Sequence, residues 1–163
     1  MLTPLPGGCR DLHRLLVVDD EEAVRSLLYD AFGGSYTVVT AADGYEALAE
    51  LREARPAVVL LDMLMPGMDG VETLERIQAF DPTIPVIMLT ANQDTGRARA
   101  TLVAGAFDYV RKPFDLEGLA RVIAAACAEN EPQRAEPVGR VELRTLASLL
   151  VDTPVGNNGS PAR

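Results

Sequence analysis

Apolar positions along this chain follow two alternating rhythms. Short continuous runs, such as Leu15-Leu16-Val17-Val18, Val58-Val59-Leu60-Leu61 and Val86-Ile87-Met88-Leu89, are separated by longer stretches in which apolar residues recur every three or four positions. Continuous runs of this length predict strands covered on both faces, and the longer period predicts amphipathic helices. The predicted strands are 14–18, Tyr36–Thr40, Ala57–Leu61, Val86–Leu89 and Phe107–Val110. The predicted helices are Glu21–Phe32, Tyr45–Ala54, Val71–Phe80, Thr95–Ala104 and Leu116–Ala128. Gly33-Gly34, Pro56, Pro82 and Gly105 punctuate their ends. Five βα units with short loops predict an α/β fold, a doubly wound five-stranded parallel sheet with helices on both faces.

This domain is expected over residues 14–129, preceded by a flexible Pro/Gly-rich segment over 1–13. Residues 130–163 are expected to hold a polar linker, Glu131–Pro137, and a short amphipathic helix within Val138–Val151. Leu143, Leu146, Leu149 and Leu150 lie on one side of that helix, and a disordered tail follows from Thr153. That stripe either docks on the domain, on a second copy or on a partner, or belongs to a frayed tail.

The polar residues that close the strands carry the chemistry. Asp19 and Asp20 follow the first run, Asp62 the third and Thr90 the fourth, while Lys112 follows Tyr109-Val110 and precedes Pro113. Sites of open parallel sheets form at the carboxyl ends of the strands, so these residues are expected to share one pocket. Carboxylates about 4 Å apart repel by roughly 4 kcal/mol per pair at an effective dielectric near 20. Lys112 supplies one compensating charge and a divalent cation would supply two. An all-oxygen donor set suits Mg²⁺, with Mn²⁺ as a substitute. The only histidine, His13, precedes the first strand, which argues against zinc. A strand-end aspartate beside such a cation can attack phosphorus and form an acyl phosphate, with Lys112 and the Thr90 hydroxyl facing the phosphoryl oxygens.

Charge narrows the partners. The 163 residues carry a formal net charge of −9, and residues 130–163 hold four arginines and four acids, so the excess lies in the predicted domain. That argues against nucleic acid, which needs a basic footprint. No apolar run approaches the roughly 18 residues of a membrane span. Cys9 and Cys127 make no disulfide framework, and a soluble cytoplasmic protein is expected. Cys127 reads as a small buried apolar residue of the fifth helix.

Four segments together resemble the receiver domain of bacterial two-component response regulators. They are Leu16-Val17-Val18-Asp19-Asp20-Glu21, Leu61 to Gly70 (LDMLMPGMDG), Leu89-Thr90-Ala91, and Tyr109-Val110-Arg111-Lys112-Pro113-Phe114. The resemblance covers about residues 14–129 and implies a flavodoxin-like fold. It implies that Asp62 is the phosphoacceptor, that Asp20 binds Mg²⁺ directly and Asp19 mostly through water, and that the Leu64 backbone carbonyl completes the protein ligands. Thr90 would be the switch hydroxyl, Tyr109 the aromatic switch and Lys112 the partner of a phosphoryl oxygen. Pro113 would follow a cis peptide. Leu64 and Asn92, two positions beyond Asp62 and Thr90, would tune the acyl phosphate lifetime; Leu64 cannot hold a water by hydrogen bonding, so slow self-dephosphorylation is expected.

The chain has neither a P-loop pattern nor a GxGxxG fingerprint, so a phosphoryl donor is implied: a histidine kinase or a histidine phosphotransfer protein. The protein would catalyse only its own phosphorylation and dephosphorylation. The 34 residues after Glu129 are too few for a winged-helix domain, so output is expected through contact with another protein. The face implied by the resemblance is helix four, strand five and helix five, with Arg97, Arg99, Tyr109, Arg111 and Arg121; a homodimer could use that face or the tail helix. A haloacid-dehalogenase type phosphatase is disfavoured, because it wants an acid where Leu64 stands. A phosphorylation-independent interaction module is the remaining alternative.

Overall fold

The computed structural model describes residues 13–91 and 95–135. Five parallel strands, β1 (Arg14–Val18), β2 (Thr37–Ala41), β3 (Val58–Asp62), β4 (Val86–Ala91) and β5 (Asp108–Lys112), form one sheet in the order β2-β1-β3-β4-β5. The helices between and after them are α1 (Glu22–Phe32), α2 (Gly44–Glu53), α3 (Gly70–Phe80), α4 (Thr95–Val103) and α5 (Leu116–Ala135). The doubly wound α/β fold is the one expected.

Strand alternation splits the core into two layers. Leu16, Val18, Val59, Leu61, Val86 and Met88 face one side and pack with Ala47 and Leu51 of α2, Leu74 and Ile77 of α3 and Ala98 of α4. Leu15, Val17, Val58, Leu60, Ile87 and Leu89 face the other and pack with Leu28 and Phe32 of α1 and Leu119, Ile123 and Ala126 of α5. Every residue of β3 is buried, which is why its sequence shows no polar alternation. Cys127 is buried in the second layer, as expected.

Side chains fix the starts of α2, α3 and α5, the last through Asp115, which accepts the Gly118 N–H at 2.9 Å. Asp43 accepts the Glu46 N–H at 2.8 Å and so caps α2, while Glu46 reaches back to the N–H of Ala42, one residue before the cap. Asp69 accepts the Glu72 N–H and so caps α3.

Two expectations need correction. Asp62, Thr90 and Lys112 do not follow their strands but occupy the last rungs: Asp62 pairs with Leu89, Thr90 with Arg111, and Ala91 with Lys112. Ladder hydrogen bonds are indifferent to side-chain polarity, so a strand outlasts its apolar run. Helix α5 also continues past Ala128 to Ala135, into the stretch read as linker. Pro132 forfeits one helical hydrogen bond, but alanines, glutamates, Gln133 and Arg134 around it are strong helix formers. The chain divides into two compact units, Met1–Glu131 and Pro132–Arg163. The leucine stripe from Leu143 to Leu150 and the segment before His13 lie outside the described residues. Among the described residues no helix is long and apolar enough to cross a membrane.

At the amino ends of the strands a polar node joins α5 to the sheet. Asn130, only 3% exposed, donates to the Ala57 carbonyl at 2.9 Å and accepts from Arg55 at 3.2 Å. Arg55 also pairs with Asp81 at 2.8 Å and reaches the Thr83 hydroxyl. Asn130→Ala would strand a buried carbonyl, and a loss of about 1–2 kcal/mol in urea unfolding is expected. An unchanged midpoint would show that the node contributes nothing net.

Candidate functional site

At the opposite edge of the sheet the strand ends converge. Asp19, one residue beyond β1, is fully buried and held on every polar group. Its N–H donates to the Ala41 carbonyl at 3.2 Å, and its Oδ1 accepts the Glu21 N–H at 2.9 Å. Its Oδ2 accepts from Lys112 Nζ at 2.9 Å, and its carbonyl accepts from Arg25 Nη1 at 2.7 Å. Lys112 Nζ also lies 3.3 Å from Asp62 Oδ1. One ammonium from β5 therefore bridges carboxylates from β1 and β3.

Asp20 is exposed at the mouth, and oxygens of Asp19, Asp20 and Asp62 all lie within 4.8 Å of one another. Burial, then the Asp19 charge, push the Asp62 carboxyl up from 3.8 to about 6, against the pull of Lys112 and the Leu64 backbone N–H. Burial alone would lower the Lys112 ammonium, but its hydrogen bond to Asp19 and the charges of Asp62 and Asp19 raise it overall. The two directions agree physically: the lysine sees two anions, whereas Asp62 sees burial and a like charge that one lysine does not offset.

Thr90 is 2% exposed and its hydroxyl donates to the Ala91 carbonyl at 2.9 Å. Tyr109 is half-buried, its ring against the first core layer. The Lys112–Pro113 peptide is cis. Leu64, two residues beyond Asp62, is 53% exposed. Asn92 lies outside the described residues.

The donor set fits a hard divalent cation. All three side chains offer oxygen, and the pocket holds three carboxylates against one ammonium. The acidic triad is thus a Mg²⁺-type site, in keeping with the reading from residue types.

Sequence reasoning missed two residues that shape this pocket. Gly70, the first residue of α3, lies against the backbone of Asp62 and Met63, with its N–H on the Met63 carbonyl at 3.0 Å. Arg25 binds the Asp19 carbonyl from the fourth position of α1. The available signal was its place: a cation in the first turn of a helix opposes the macrodipole and calls for a local reason.

Residues 15–124 match the response regulator receiver domain family. The chain is 38% identical over 133 residues to the DNA-binding response regulator MtrA of Mycolicibacterium smegmatis, covering 80% of this chain and 58% of that protein. It is 39% identical over 119 residues to the DNA-binding transcriptional regulator NtrC of Salmonella typhimurium, covering 72% of this chain and 25% of that one. The chain thus spans well under two thirds of these relatives. A crystal structure of a response regulator receiver domain protein from Clostridium thermocellum superposes with a TM-score of 0.72 at 30% identity, over 75% of this chain and 99% of the other.

Proposed function

Since this chain belongs to the response regulator receiver domain family, we propose that it is a phosphoacceptor switch in which Asp62 takes a phosphoryl group from a phosphohistidine. The donor is a histidine kinase or a histidine phosphotransfer protein. The observation that carries this reading is the meeting of three carboxylates, Lys112 and the Thr90 strand end at one edge of the sheet.

An Asp62 carboxylate oxygen attacks phosphorus, the phosphorus–nitrogen bond of the donor breaks, and the leaving imidazole keeps the electron pair and takes a proton. Asp20, Asp62 and the Leu64 carbonyl would hold a Mg²⁺ or Mn²⁺ directly and Asp19 mostly through water, and the ion would supply neutralising charge to the phosphoryl oxygens. Lys112 already touches both Asp19 and Asp62, so it can follow an oxygen of the incoming group with little movement. The Thr90 hydroxyl is occupied by the Ala91 carbonyl, so reaching the phosphoryl group means exchanging one acceptor for another. Tyr109 fills the space that Thr90 vacates, which couples the pocket to the surface formed by α4, β5 and α5. Exposed Arg97, Arg99, Arg111 and Arg121 on that surface suit an output protein or a second copy.

Incubation with a small acyl-phosphate donor and Mg²⁺ should add one phosphoryl mass, mapped to the peptide containing Asp62 and abolished by EDTA. An adduct that persists in EDTA, or maps elsewhere, would overturn the reading. The apolar Leu64 side chain predicts an adduct that lasts minutes or longer; decay within seconds would contradict the role given to it.

A further inference from the structure

The proposed direct metal ligand, Asp20, is the least supported of the three carboxylates. Asp19 is bound through its N–H, both carboxylate oxygens and its carbonyl, and Asp62 is engaged by Lys112 and the Leu64 N–H. Asp20 is exposed and, among the described residues, makes no side-chain hydrogen bond or ion pair. No partner among the described residues holds its direction, so the backbone decides which positions its carboxylate can reach. That backbone begins at the peptide linking Asp19 to Asp20, whose carbonyl receives Arg25 Nη1 at 2.7 Å.

Arg25 is an unusual choice for this contact. Glu22 and Asp30 border the same open groove of about 380 Å³, yet among the described residues Arg25 pairs with neither. Its guanidinium instead donates to a neutral carbonyl beside the acidic pocket, from a helix turn where a cation is disfavoured. A long-range electrostatic role would work against the site, since a fixed positive charge near the pocket repels a dication.

We infer that Arg25 is a positioning residue for the metal site: by fixing the Asp19–Asp20 peptide it aims the Asp20 carboxylate into the pocket. This rests on the reading of Asp20 as a metal ligand. Because a positioning role and a charge role predict opposite signs, removing the guanidinium separates them.

The test is a Mg²⁺ titration of the full chain followed by backbone amide shifts, with the Asp19 carbonyl ¹³C shift read separately in EDTA. Arg25→Met keeps the aliphatic stem and removes the donors. It should weaken Mg²⁺ binding about tenfold, the scale typical of losing a group that orients a metal ligand, and should move the metal-free Asp19 carbonyl signal. Arg25→Lys, which can still donate to that carbonyl, should recover most of the affinity and the signal. Asp20→Asn serves as the reference and should lose binding by more than Arg25→Met. Equal or tighter binding by Arg25→Met, with Asp20→Asn impaired, would overturn the positioning role. Unimpaired binding by Asp20→Asn would instead overturn the assignment of Asp20 to the metal, and the inference with it.

Discussion

Asp62→Asn is expected to raise the stability of the metal-free protein in the same stroke that abolishes phosphoryl acceptance. The loss of acceptance follows from losing the attacking carboxylate. The gain in stability follows from charge. Asp62 is 6% exposed beside fully buried Asp19, and its carboxyl is raised from 3.8 to about 6. A carboxyl raised on folding holds more protons folded than unfolded between about pH 4 and pH 6. Stability therefore falls as pH rises across that window and stays at the lower level above it. The asparagine carries no charge and escapes that loss. Allowing for water on the open side of the pocket, the gain near neutral pH is about 1–2 kcal/mol, or roughly 5 °C in melting temperature. Thermal melts in EDTA from pH 4 to pH 8 check it: the two proteins should converge at the acid end and separate towards neutrality. Mg²⁺ should then stabilise the wild type more than the variant. A variant less stable than wild type at pH 7.5 in EDTA would show that Lys112 more than offsets the two buried carboxylates.

Gly70→Ala is expected to be the most damaging single methyl group that can be added near the site. A Cβ there would overlap the Asp62 carbonyl oxygen and lie 2.7 Å from Met63 Cα and 2.9 Å from the Met63 carbonyl oxygen. All three are backbone atoms, so no side chain can turn aside. Either α3 retreats from the end of β3 or the phosphoacceptor segment shifts. The expected cost is about 3 kcal/mol in urea unfolding, with Mg²⁺ binding weakened beyond what the stability loss explains. Gly67→Ala is the control. Gly67 has φ of 81° but nothing within 4 Å of its added Cβ, so only the dihedral penalty of about 1 kcal/mol applies. Similar costs at the two positions would mean that close packing at Gly70 is not what matters.

These expectations draw unequally on sequence and structure. The sheet was legible because strands buried on both faces leave continuous apolar runs, as β1, β3 and β4 do. The pocket was legible because a parallel sheet puts every strand's carboxyl end on one edge, so Asp19, Asp62, Thr90 and Lys112 had to be neighbours. Strand limits were not legible, since the ladder continues through polar residues without regard to their side chains. Arg25 was hidden because a side chain bound to a backbone carbonyl leaves no partner residue to recognise. Gly70 was hidden for a related reason: what excludes a side chain there is the main chain of Asp62 and Met63, whatever residues those are. The end of α5 was misread because Pro132 among polar residues looks like a linker until the strength of the surrounding helix formers is weighed.

The ammonium that balances the pocket comes from the far end of the domain. Lys112 lies 93 positions after the Asp19 it contacts, and it reaches the pocket from β5, which joins the sheet only through β4. During synthesis the acids of β1 and β3 leave the ribosome long before their counter-charge exists. A nascent chain, or one cut before β5, gathers negative charge at that edge without the cation that touches the carboxylates themselves. Zipping of the final strand therefore both completes the sheet and brings in the ammonium that partly offsets the acids. Competence to accept a phosphoryl group is in this sense a certificate that the last strand is in place, withheld from any version of the chain that stops before β5.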